Sequence, residues 1–149
     1  VSKISLTNAQ KVSNCKLDLY IEKKLLGKFY LLRGVDLPKG STLVYENAAR
    51  FSTAANEFGL YIKLTDGDSF TLTGSIDVTG TNVNVPGTNT TFLSELSVGD
   101  EVVVSGETRT IAAITSDTAA TVTAAFGSDL ANDTTPDCNP TALVDVIIN

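Results

Sequence analysis

Residues 80–122 read GTNVNVPGTNTTFLSELSVGDEVVVSGETRTIAAITSDTAATV, a run of very short strands cut by turn signals. Val83 and Val85 alternate with Asn82 and Asn84 until Pro86-Gly87 stops them. Leu93, Leu96 and Val98 make a small apolar bridge to Gly99-Asp100, and the apolar triplet 102–104 ends in a tight turn at Ser105-Gly106-Glu107. A polar-apolar strand over 108–114 and a break at Asp117 lead to the last apolar stretch, 119–122. Strands this short cannot bury a face as an open sheet, so they are expected to curl into a barrel whose edges are at least partly paired. A compact five-stranded barrel follows, with Phe92, Leu96, Val98, Val102, Val104, Ile111 and Ile114 competing for its interior.

On either side the pattern changes. Leu17, Leu19 and Ile21 alternate with Lys16, Asp18 and Glu22, the period-2 signature of a half-buried strand, which leaves Tyr20 on the other face to be wet or to dock on a partner. Residues 29–32, Phe-Tyr-Leu-Leu, are apolar on both faces and suit the centre of a sandwich. Pro38-Lys39-Gly40-Ser41 is a turn, 43–45 the next strand, and 59–64 a further strand with Leu60, Ile62 and Leu64 on one face. The segment 46–58 holds no apolar stripe at helical spacing and reads as a long loop. The tyrosines and phenylalanines are expected mostly to alternate into cores.

Beyond 122 come a polar stretch with Pro136 and Pro140 and a closing apolar run at 143–148. A terminal strand needs a sheet to join, and the barrel is complete without it. The expected organisation is therefore all-β. A small β-sandwich comprises 1–71 and 136–149, closed by its C-terminal strand. An inserted barrel covers 72–128 and a linker 129–135, since insertion at exposed loops is well tolerated. Two tandem domains with a C-terminal arm remain the alternative.

The 149 residues contain no His, Met or Trp, and the formal charge is −6. The absence of His removes the usual neutral-pH general base and the commonest transition-metal ligand, and rules out a Ser-His-Asp arrangement. Net negative charge argues against a nucleic-acid surface. The charge is unevenly spread: 1–73 carries ten Lys/Arg and seven Asp/Glu, whereas 74–149 carries one Arg and ten acids. Either solubility or a head-to-tail or heterotypic assembly accounts for that. Cys15 and Cys138 are too few for a disulfide scaffold and spell no metal site; two thiols in a reducing cytoplasm is the favoured reading, although the chain ends could bring them together. No apolar run reaches membrane-spanning length and the first residues lack a signal-peptide layout, with Val1 fitting a chain exposed by initiator-Met removal.

Candidate chemistry is sparse. The acid pairs Asp66/Asp68 and Asp100/Glu101 fall at turns and read as solvated turn residues, with too few oxygens for an EF-hand. The glycines at 67, 74 and 80 lack the lysine and helix of a phosphate loop. Asn89-Thr90-Thr91 is a glycosylation triplet only for a chain on a secretory route. Arg109, the single cation after residue 73, could pair with Glu107, Asp100 or a partner's acid, or could lie along the strand surface.

Val85, Pro86-Gly87-Thr88, Thr91-Phe92, Leu96, Val98-Gly99-Asp100, the strand 102–104, Gly106, Arg109, Ile111, Ile114 and Asp117-Thr118 together resemble a small SH3-like barrel found in structural proteins of tailed bacteriophages. The strands at 17–21, 29–32, 35–43 and 144–148 look like a small β-sandwich of phage tail and neck accessory proteins. The resemblance implies a non-enzymatic virion component, made in the host cytoplasm, that decorates a capsid or joins a neck or tail. Its partners would be other virion proteins and further copies of itself, with no cofactor, no metal, no nucleic acid and no membrane. Contact through the first half is expected, with Tyr45, Arg50, Phe51 and Phe58 as anchors and Arg109 as a second contact. The alternative is a carbohydrate- or receptor-binding module of a tail fibre.

Overall fold

A computed structural model describes residues 2–23, 26–46 and 58–149. The chain is nearly all-β, with antiparallel sheets throughout. It divides into two compact units, one made of 1–10, 14–66 and 142–149, the other of 11–13 and 67–141.

The first unit holds two three-stranded sheets. One has the order β14 (Val144–Ile148), β1 (Lys3–Asn8), β4 (Thr42–Glu46); the other has the order β3 (Gly27–Leu37), β2 (Cys15–Lys23), β5 (Phe58–Thr65). Alternation decides what each strand contributes. Ile4 and Leu6 of β1 and Leu17 and Leu19 of β2 are essentially inaccessible and share one core with Leu37, while Leu43, Leu60, Ile62, Leu64 and Val144 pack around them. Burying one such aliphatic side chain contributes roughly 1.5–3 kcal/mol. β14 runs antiparallel to β1, from Ile4 opposite Ile148 to Asn8 opposite Val144. The chain leaves this unit after Asp66 and returns at Ala142, and the Ala142 N–H donates to the Asp66 carboxylate at 2.7 Å.

Residues 29–32 lie in β3, an edge strand of its sheet rather than a central one, and Phe29 and Tyr30 are half exposed. β2 takes the centre. Around Arg33-Gly34 the β2–β3 register shifts, Gly34 adopts a φ of +61°, and its N–H donates to Asp18 at 2.6 Å, so a bulge absorbs the apolar run.

The second unit is one eight-stranded sheet: five of its strands fall within 72–128, and three more lie outside those bounds. Its order is β12 (Leu130–Asp133), β7 (Ser75–Val78), β8 (Asn84–Thr88), β11 (Ala119–Val122), β10 (Glu107–Ser116), β9 (Glu101–Val104), β13 (Asp137–Asn139), β6 (Phe70–Thr71). A single helical turn, α1 (Phe92–Glu95), follows β8. Phe92, Leu96, Val102, Val104 and Ile111 are buried in its core with Ile76, Val78, Val85 and Cys138, and Ile114 packs against them. Val98 does not: it is 62% exposed. The Asp100 N–H bonds the Ser97 carbonyl, closing a turn that puts Val98 at its corner, with Gly99 next at a φ of +95°. The β9–β10 hairpin pairs Val104 with Glu107, leaving Ser105-Gly106 as a two-residue turn with both φ angles positive, the form that matches strand twist.

The segment 129–141 is neither linker nor part of the first unit. β12 pairs with β7, β13 lies between β9 and β6, and the Cys138 side chain is fully enclosed. Polar composition concealed this, because the burial rests on isolated residues, Leu130 and Cys138, between turns.

Candidate functional site

Tyr20, on the face of β2 turned away from the core, stands opposite Tyr30 of β3 and Tyr61 of β5. Three tyrosines therefore form a row across the outer face of one sheet. The Tyr20 ring stacks on Tyr61 with centroids 5.5 Å apart and planes 16° apart, and meets Tyr30 at 5.6 Å and 48°. Such aromatic pairs contribute about 0.5–1.5 kcal/mol each beyond area burial. The central ring is nearly covered, whereas Tyr30 and Tyr61 remain 44% and 47% exposed. Gly59, two residues before Tyr61 on the same face, makes room: a Cβ there would run into the Tyr61 ring. That is a use of glycine for close approach rather than for backbone freedom.

Cations frame the row. Lys28 Nζ lies 4.7 Å from the Tyr20 ring centroid and the Arg33 guanidinium 5.1 Å from that of Tyr30. A hydrogen bond to Tyr20 holds the Lys28 ammonium above its ordinary pKa. The cross-strand pairs Glu22–Lys28 and Asp18–Lys63, and a 3.9 Å contact between Lys16 and Asp36, balance charge on this face. The combination offers ring faces and edges for stacking, with fixed donors and acceptors around them.

The anchors expected from sequence lie elsewhere. Tyr45 pairs with Ile4 and packs inward against the first core. Arg50 and Phe51 lie outside the described residues. Phe58 opens β5, half exposed, with Lys23 Nζ 5.0 Å from its ring centroid. Of the partners expected for it, Arg109 pairs with Glu107. It donates to the Ala125 and Thr108 carbonyls and to Glu107 Oε2 at 2.8, 2.7 and 3.0 Å, and lies over the Phe126 ring. Tyr20 lies on the outer face that its alternation with Leu17, Leu19 and Ile21 predicts, whereas the expectation that aromatics alternate into cores fails for Tyr30 and Tyr61. Their position opposite the core residues of each strand was the available signal.

The acids of the second unit have a role that composition concealed. Glu95, Asp100, Glu107, Asp117, Asp129 and Asp133 each accept a backbone N–H, from Thr73, Ser97, Gly127, Leu93, Gly80 and Ser105 respectively. Asp100 also takes the Thr141 N–H at 3.0 Å and is buried, so it is not the solvated turn residue expected. These carboxylates satisfy amides that no strand ladder reaches. Glu107 is held below the usual carboxylate range by the Gly127 amide first, then by Ser128 and Arg109. For Glu95 burial pushes the other way, but bonds from Thr73 and Thr91 outweigh it and the pKa is lowered. Burial, with Asp100 and Glu95 nearby, raises the Cys138 thiol to about 12, so it is a core residue and no nucleophile. Cys15 and Cys138 are both free thiols.

Among the described residues no three or more Cys, Asp or Glu side chains gather to hold a metal ion, and no helix is long and apolar enough to cross a membrane. Comparison with protein-family models, with curated proteins and with solved structures gives no match.

Proposed function

We propose that this chain is a non-enzymatic structural component of a tailed-bacteriophage particle, attached to capsid, neck or tail subunits through the outer face of β3, β2 and β5. In this reading the first unit is a small β-sandwich and the second an SH3-like barrel inserted into it. The observation that carries the binding role is the row Tyr30–Tyr20–Tyr61, whose two outer rings are nearly half exposed, with Lys28 over Tyr20 and Arg33 over Tyr30. Tyrosine and arginine are the residues that dominate interface energies, since they bring large area with a polar handle. The particle itself enters from the sequence resemblance. Repeated weak contacts on a symmetric particle gain by effective concentration.

The same row favours a second reading, a carbohydrate-binding module, because sugar rings stack on exposed tyrosines flanked by hydrogen-bonding groups. Two measurements separate them. Mass spectrometry of purified particles should detect the chain, and Tyr30→Ala with Tyr61→Ala should abolish its incorporation while the protein stays folded. Absence from particles, with binding in a glycan screen that the same double variant removes, would replace the first reading with the second.

A further inference from the structure

We infer that β14 pairs with β14 of a second copy of this chain, joining two three-stranded sheets into one. Lys3 and Asn149 exchange both hydrogen bonds, with Lys3 N–H to the Asn149 carbonyl at 3.1 Å and Asn149 N–H to the Lys3 carbonyl at 2.9 Å. In an antiparallel ladder such reciprocal pairs alternate with pairs that make no bond. Ser5–Ile147 and Thr7–Asp145 are therefore the bonded pairs, and Val144, Val146 and Ile148 turn their N–H and C=O groups away from β1. The far side of β1 agrees: Asn8, which bonds away from β14, donates to the Ser41 carbonyl and accepts from Gly40 on the β4 side.

Among the described residues β14 pairs with β1 alone, so those groups line an open edge. Proteins normally blunt such an edge with charge, proline or a bulge. β3 carries Lys28, Arg33 and Asp36 and a bulge, and β5 carries Lys63. β14 instead shows Val146, Ile147 and Ile148 at 42%, 59% and 53% exposure, on both faces of the strand.

The occupant follows from self-complementarity. Placed antiparallel to itself about Val146, β14 sets Val146 opposite Val146 and Val144 opposite Ile148. All of these residues point their backbone groups outward, so each pair can exchange both bonds. Asp145, the single charge of the strand, then faces Ile147 rather than its own copy. A two-fold axis midway between the two Val146 residues gives a closed dimer. The inference concerns a different sheet from the tyrosine row and does not depend on it.

The test uses the full chain. Sedimentation equilibrium should show a monomer–dimer equilibrium for the wild type. Val146→Lys and Val146→Glu, each of which sets like charges opposite one another, should each be monomeric, and an equimolar mixture of the two should dimerise again. Amide exchange in the wild type adds an arm that needs no variant: protection at Val146 and Ile148 should rise with protein concentration, while protection at Ile147 should not. A wild type that stays monomeric at all concentrations, dimers that survive both substitutions, or a Val146 amide whose protection is independent of concentration would each overturn the inference.

Discussion

Phe92 opens α1 with no exposed surface, and a Cβ added to Gly87 would lie 2.9 Å from its ring, so the ring is held against backbone as well as against side chains. Truncation leaves a cavity that so tight a site cannot close. Phe92→Ala should cost about 3–5 kcal/mol, read as loss of amide protection across β9, β10 and β11; unchanged protection would remove Phe92 from the core. Gly59→Ala makes a contrasting case. The atoms it meets belong to the Tyr61 ring, which can rotate away, so stability should fall by at most about 1 kcal/mol while binding through the tyrosine face is lost. Equal binding by Gly59→Ala would show that Tyr61 takes no part. Glu107 answers to pH. Its folded pKa lies below the ordinary 4.5, so its contribution is complete above that value and is lost as pH falls through the folded pKa. Titration of the Glu107 carboxyl by NMR should give a midpoint under 4.5, and one at or above it would contradict the bond from Gly127.

At the scale of elements, the two terminal pieces of the chain serve different units. β14 completes a sheet of the first unit, whereas β12 and β13 extend the sheet of the second. Truncation after Thr141 removes the β1–β14 ladder and the cover that Val144 gives the first core, and it leaves every strand pair of the second unit in place. Amide protection should fall in β1, β2 and β5 and persist in β9–β11. Loss in β9–β11 instead would mean that the second unit depends on the C-terminal strand. The period-2 strands at 17–21 and 59–64 were readable because each has a core face of aliphatic residues alternating with a face of charged and tyrosine residues. β12 and β13 were not, because four- and three-residue strands are too short to show a period.

For the whole molecule, the charge imbalance has a structural cause. In the second unit carboxylates fasten turns by accepting backbone N–H bonds, while in the first unit Asp18 and Asp66 do so. Acid should therefore loosen the second unit first: below about pH 4.5, exchange at Gly127 and Thr73 should accelerate before exchange within β2. Simultaneous loss in both units would show that the fasteners contribute no selective stability. Composition and alternation by themselves determined that this chain forms strands, which residues of the regular strands face a core, and that no histidine chemistry is available, because these depend on residue type and local period. Which strands become neighbours was decided by the tertiary structure, since β1 meets β4 and β14, and β13 meets β9 and β6, across separations that no local pattern encodes. The same holds for the tyrosine row. Tyr20, Tyr30 and Tyr61 each occupy an outward position on their own strand, and only the register of β2 with β3 and β5 brings the three rings together.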